Sequence, residues 1–188
     1  MRVYDFDDTI YNGDSSKDFI LFEMKRHIGS FVKRSIPMCI STILYLLHIR
    51  TKETWKSTMF SFLNDIESIQ NEVALFWDMN ECKFKEWYKR QKRESDLIIS
   101  ASPYFLVKEG CRRVGISNVI ATNMNEKTGK IFGKNCRGNA KVERFQEMYG
   151  EHVKIQEFYS DSTSDKFMAE LAEKSYLVYG DDVKEWIL

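Results

Sequence analysis

Apolar positions along the chain change their spacing twice. Arg2 to Phe6 reads as a short strand that runs straight into a loop rich in carboxylates. Over residues 15–93 the apolar residues recur at helical intervals instead. Trp55, Met59, Phe62 and Ile66 form one stripe, and Ile69, Val73 and Phe76 continue it. That zone holds a single glycine, Gly29, and a single proline, Pro37, and predicts a bundle of four or five helices. From Leu97 the short apolar runs return. Leu97-Ile98-Ile99 is a buried-strand run, followed by Ser-Ala-Ser-Pro and a helix that stops near Gly115. Val119-Ile120-Ala121 is a second strand, and Thr128-Gly129 marks the tip of a small hairpin. Asn139 stands at the cap position of a helix carrying Val142, Phe145 and Met148. Ile155 to Tyr159 and Tyr176 to Tyr179 are further strands, separated by a helix with Phe167, Met168 and Leu171.

Strands alternating with helices predict an α/β fold with a parallel sheet, here interrupted after its first strand by a helical insertion. The expected division is a core of 1–14 and 94–188 with a cap of 15–93. Ligands of open α/β sheets bind at the carboxyl ends of the strands, so an insertion leaving from that edge would cover the site as a lid.

Composition narrows the function classes. Lysine plus arginine number 28 and so do aspartate plus glutamate, so no global basic field draws the chain to nucleic acid. The 9 glycines and 2 prolines are too few for a fibrous or disordered chain. Cys39, Cys82, Cys111 and Cys136 lie far apart, without a CxxC pair, and read as reduced, mostly core thiols. The most apolar stretch, 36–49, falls short of the roughly 18 residues wanted for a membrane span. It reads as the buried face of a cap helix around Cys39 and His48, with a membrane- or partner-touching helix as the alternative. With no charged-then-apolar leader in view, the default compartment is the cytoplasm.

Every polar cluster follows a strand. Asp5, Asp7 and Thr9 follow the first, Ser100 follows the Leu97–Ile99 run, and Asp161 and Asp165 follow Ile155–Tyr159. Lys141 falls in the first turn of the helix near Asn139. In this order they resemble the four motifs of the haloacid dehalogenase superfamily of phosphotransferases. The helical insertion and the Asn139-Ala140-Lys141 form of the third motif are most similar to its phosphoserine-phosphatase-like branch. The resemblance implies a Rossmann-like core under a helical cap, and Mg²⁺ held by Asp5, Asp161 and the backbone carbonyl of Asp7. It implies Asp5 as nucleophile, Asp7 as acid and base, and Thr9, Ser100 and Lys141 on the phosphate. Asp165 would support the metal and orient the lysine.

Elementary chemistry agrees with that assignment. A phosphate dianion repels a carboxylate nucleophile unless a cation masks the charge, and Mg²⁺ takes hard oxygen ligands. Covalent catalysis by an aspartate splits one hard displacement into two. The expected activity is therefore Mg²⁺-dependent hydrolysis of a small phosphate monoester through an aspartyl-phosphate. Two alternatives stay open: a phosphatase of a lipid-linked or polyprenyl phosphate, suggested by 36–49, and a non-catalytic phospho-ligand binder. The joint presence of Asp5, Asp7, Lys141 and Asp161 weighs against the second.

Several positions depart from the family or allow a plainer reading. Asp8 stands where a small or neutral residue is usual, and reads as solvated, turned away from the metal. Asp14 matches the place where phosphoserine phosphatases carry a glutamate that grips the substrate amine, but is one methylene shorter. It serves equally as the cap of a helix beginning near Ser15. Ala101 replaces the usual glycine, so phosphoserine is expected to be at best a poor substrate. The run from Lys83 to Arg93, with Glu86 inside it, reads as a solvated helix face. Lys130, Lys134 and Arg137 ring the hairpin before Lys141.

Overall fold

Short runs of apolar residues form the middle of the sheet, as expected for strands covered on both faces. The computed structural model describes residues 1–188. Its strands are β1 (Arg2–Tyr4), β2 (Leu97–Pro103), β3 (Asn118–Thr122), β4 (Ile155–Ser160), β5 (Ala172–Tyr179) and β6 (Asp182–Glu185). They lie in the order β3-β2-β1-β4-β5-β6. All neighbours run parallel except β5 and β6. Central β1 pairs Val3 with Leu97 on one side and with Phe158 on the other. The chain order therefore reverses at β1, and the loop leaving it opens at the switch point where ligands collect.

Five helices lie between β1 and β2: α1 (Ser15–Arg26), α2 (Ile28–Leu46), α3 (Lys52–Met59), α4 (Ile69–Asn80) and α5 (Glu86–Gln91). Three more follow, α6 (Tyr104–Arg113), α7 (Asn139–Tyr149) and α8 (Lys166–Ala169). Alternation along the strands sends neighbouring side chains into two separate cores. Val3, Leu97 and Ile99 meet Phe145, Phe158 and Met168 on one face. Tyr4 and Ile98 join a larger core on the other, continuous with Phe19, Phe62 and Trp77 of the inserted helices. The insertion thus shares its apolar interior with the sheet. Trp77 sits at the join: its Nε1 donates to the Leu106 carbonyl at 2.9 Å. A Cβ on Gly110 would come within 2.4 Å of the Trp77 ring, so α4 and α6 approach this closely only because that position is glycine.

The structure corrects several expectations. The apolar residues of 36–49 lie mostly on the exposed side of α2, with Cys39 and His48, while Phe31, Met38 and Ser41 face inward. Of the four free thiols only Cys111 and Cys136 are buried. Gly138, not Asn139, precedes the first turn of α7 with φ 55, a backbone form that favours glycine. Leu171 falls outside α8, and β6, too polar to show an apolar run, pairs with β5 after a turn at Gly180. Lys85 is buried rather than solvated.

On the insertion, α1 meets α4 through ionic groups. Arg26 donates to both carboxylate oxygens of Glu72, at 2.7 and 3.3 Å. Glu23 lies fully buried beside them, with neither carboxylate oxygen hydrogen-bonded. Burial, then the Glu72 charge, pushes the Glu23 carboxyl up to about 8. His27 lies 3.6 Å from Glu23 and 3.5 Å from Glu72.

Candidate active site

Charged side chains of three separate segments, after β1, after β4 and at the start of α7, converge where β1 and β4 end. Asp5 continues the ladder past β1, its backbone N–H donating to the Tyr159 carbonyl at 2.8 Å. Lys141, from the first turn of α7, donates to Asp5 Oδ1 and to Asp165 Oδ2, each at 2.6 Å. All three side chains are buried. Ser160 Oγ donates to the same Asp165 oxygen at 2.9 Å, leaving buried Asp165 Oδ1 without a partner.

Asp161 is tied to the β1 loop by Thr9. The Asp161 N–H donates to Thr9 Oγ1 at 2.8 Å, and that hydroxyl reaches Asp161 Oδ1 at 3.4 Å. Thr9 is fully buried, so its hydroxyl serves Asp161. Ser100 is likewise fully buried, inside β2 rather than after it, and its Oγ accepts from the Ser102 N–H at 3.0 Å.

Asp7 faces a different neighbourhood. Its Oδ1 accepts from the Ser15 N–H at 2.6 Å and its Oδ2 from Ser102 Oγ at 2.5 Å. The Ser102 hydroxyl is joined in turn by Ser16 at 2.8 Å and Ser15 at 3.2 Å. Asp8 adopts φ 53, and its Oδ1 accepts from the Gly13 N–H at 3.1 Å, closing the loop. Expected to turn away from the site, it is exposed but borders the cleft. Asp14 caps α1, accepting from the Lys17 N–H at 2.9 Å.

Two connected spaces lie over these groups. A cleft of about 230 Å³ is bordered by Asp5, Asp161, Lys141, Arg137, Ser162 and Ser164. A cavity of about 500 Å³ continues between α1 and α3, with Ile20, Trp55, Met59 and Phe60 as its apolar wall. Asp7, Asp14, Lys52 and Ala101 border both. A larger hollow of about 670 Å³ under α7 holds none of the carboxylates.

Burial raises the carboxyl of Asp5 well above its usual range; Lys141 opposes that shift while Asp165 and Asp161 add to it. Burial and the Asp14 charge push Asp7 up to about 6, against the bonds from Ser102 and Ser15. Burial would depress Lys141, but Asp5 and Asp165 outweigh it and the ammonium is raised. Asp161 is raised by burial, with Asp8 adding repulsion. Three carboxylates around one ammonium leave a negative excess, all its free donors are hard oxygens, and one buried oxygen is orphaned. That donor set fits a divalent hard cation.

Sequence reasoning missed Ser102, Lys52 and Lys56. Lys56 is buried, its Nζ donates to the Ala101 carbonyl at 2.8 Å, and burial lowers it to about 8 despite Asp7 and Asp14. Two signals were present: Ser102 shares a strand face with Ser100, and Lys52 and Lys56 stand four apart within an apolar helical stripe.

A sheet switch point lined with carboxylates and one buried lysine is where an open α/β enzyme keeps its active site. The profile of haloacid dehalogenase-like hydrolases matches residues 3–170, and the chain belongs to that family. Protein CicA of Caulobacter vibrioides is 25% identical, across 94% of this chain and 85% of that protein. A protein of unknown function from Bordetella pertussis Tohama I superposes with a TM-score of 0.73 at 18% identity, over 93% of this chain and 87% of that one. A substrate-bound phosphoserine phosphatase superposes with a TM-score of 0.56 at 16% identity, over 92% and 82%. A phospho-aspartyl intermediate analogue of phosphoserine phosphatase gives 0.54 at 19%, over 92% and 83%. The fold is that of the phosphoserine-phosphatase-like branch.

Proposed function

We propose that the protein is a Mg²⁺-dependent phosphatase of a phosphate monoester, working through an aspartyl-phosphate on Asp5. The observation that carries this reading is the clamp of Lys141 on a single oxygen of Asp5. Asp5 borders the cleft with Lys141 bonded to its Oδ1, and Asp7, two residues away, is raised to about 6. The Asp5 oxygen bonds to phosphorus as the ester oxygen leaves, and Asp7 gives that oxygen its proton. Water then adds to phosphorus, Asp7 takes its proton, and the phosphorus–oxygen bond to Asp5 breaks to release inorganic phosphate. Lys141 balances charge on the transferred group throughout. Thr9 and Ser100, assigned to phosphate by the family resemblance, act here chiefly by fixing Asp161 and the end of β2.

Asp5, Asp161 and the Asp7 carbonyl would hold Mg²⁺, with Asp165 orienting Lys141 beside it. Bound there, Mg²⁺ masks the repulsion between a phosphate dianion and the nucleophile. Asp14 uses one oxygen as a helix cap, which supports the expectation that phosphoserine is a poor substrate. A second reading, an ester of a lipid-linked alcohol, draws on one observation: the apolar wall of Ile20, Trp55, Met59 and Phe60 beside Asp7. Turnover of a chromogenic phosphate ester tests the reaction. Activity should vanish with chelator and return with Mg²⁺, and full activity in excess chelator would refute the metal assignment.

A further inference from the structure

The exposed side of α2 breaks the usual partition of residues. Ile28, Val32, Ile36, Ile40, Ile43 and Leu46 fall within an arc of about 120°, taking 100° per residue. Ile36 is 72% exposed and Leu46 68%, and exposed Leu47 and Ile49 carry the strip past the helix end. No charged side chain interrupts the arc; Lys33 stands at its edge. The opposite side of α2 is committed to the protein, with Phe31 stacked on Phe62 at 4.7 Å and Met38 and Ser41 buried. Contiguous apolar faces of this kind are rare on proteins that meet only water.

We propose that this face docks onto a lipid bilayer surface bearing anionic headgroups. Charge around the strip selects the headgroup. Between Glu23 and Glu53 the chain has no acidic residue but six cations, although the protein as a whole is neutral. Arg26 and Arg34 are spent on Glu72 and Asp65, and Lys33 lies 3.8 Å from Asp65. Lys25 and Arg50, at the two ends of the strip, make no ion pair. Side-chain chemistry selects a fluid partner. The strip is aliphatic, without the tyrosine, tryptophan or arginine anchors that fix a protein interface in register. A second copy would also bring two basic rims together. No helix is long and apolar enough to cross a membrane, so α2 lies flat, its apolar side in the interface.

Docking sets the cavity one helix away from the lipid, on the far side of α2. Trp55, which lines the cavity, donates from Nε1 to Thr42 Oγ1 of α2 at 3.2 Å and stacks on Tyr45 at 5.0 Å. The docking proposal stands apart from the reading of the reaction and does not require a lipid substrate.

Co-sedimentation with vesicles of phosphatidylcholine, alone or mixed with phosphatidylglycerol, tests it. The full chain should partition onto the mixed vesicles, and I36E/I40E should lower that partition at least about tenfold. K25Q and R50Q should each lower it about fivefold. Cys39 lies on the same face and gives a readout that needs no face variant. An environment-sensitive fluorophore on Cys39, with Cys82→Ser to keep labelling specific, should shift to the blue on adding mixed vesicles. Absence of binding to either vesicle, or undiminished binding of I36E/I40E, would overturn the proposal. So would equal binding to neutral and mixed vesicles. Size-exclusion chromatography adds one more outcome: a dimer that I36E/I40E converts to monomer would assign the face to a second copy instead.

Discussion

Two regions of this molecule invert the ordinary sorting of side chains, in opposite directions. Around the end of β1, Asp5, Asp165 and Lys141 are buried. Along α2, a strip of isoleucines and leucines faces outward. The first inversion is held by bonds: each buried charge has a partner at 2.6 Å. The second is held by nothing visible within the chain. A buried ion cluster is costly on its own terms, so it persists where each member compensates another. An exposed aliphatic strip costs the isolated fold little and becomes consequential only when something meets it. The cleft is therefore legible as a machine from its internal contacts, and α2 only from what is missing around it.

Substitutions separate the two regions sharply. Asp5→Asn should leave the fold intact and cut turnover to below about one-thousandth, since the amide is nearly isosteric but not nucleophilic. Retention of more than a few per cent of activity in steady-state assays would break the covalent assignment. Lys141→Ala removes the cation shared by two buried carboxylates and should cost about 3–5 kcal/mol in denaturant unfolding at neutral pH. A loss under about 1 kcal/mol would mean that the carboxylates find another partner.

Within α2 the same contrast appears on two sides of one helix. Phe31→Ala, on the inward side, should cost about 3–5 kcal/mol. Ile36→Ser, on the outward side, should stay within about 0.5 kcal/mol. Equal costs would show that the strip is packed against protein in solution.

The last contrast depends on pH and concerns Glu23. Its folded-state carboxyl sits near 8 against an ordinary 4.5, so the folded protein holds that proton more tightly than the unfolded chain. Its charged form therefore costs stability increasingly as pH rises from about 4.5 to about 8. Glu23→Gln should raise the melting temperature more at the upper end of that window than at the lower. A gain independent of pH would place the effect elsewhere than in the buried charge.

Much of the catalytic cleft was legible in the sequence because its carboxylates follow strands in short local clusters. Asp5, Asp7 and Thr9 span five positions, and Asp161 and Asp165 another five, so strand placement alone carries them to one edge. The bonds of Ser102, Lys56 and Lys85 were not legible, since their partners come from other elements: Asp7, the Ala101 carbonyl, and the carbonyls of Asp8 and Gly180. The helical insertion was visible from its spacing, but the orientation of α2 was not. Periodicity distinguishes two sides of a helix without saying which turns inward. Here the side with Phe31, Arg34 and Tyr45 does so, because Phe62, Asp65 and Trp55 offer them partners.

The ammonium of Lys85 ties the sheet edge to the loop that carries Asp5, Asp7 and Asp8. It donates to the carbonyl of Asp8, at 2.5 Å, and to that of Gly180 in the β5–β6 turn, at 2.6 Å. The loop after β1 and the outermost hairpin are stitched together by one side chain from the insertion. Opening that hairpin would take one of two carbonyl anchors from the Lys85 ammonium, and so loosen the loop after β1 from a point that touches neither Asp5 nor Asp7.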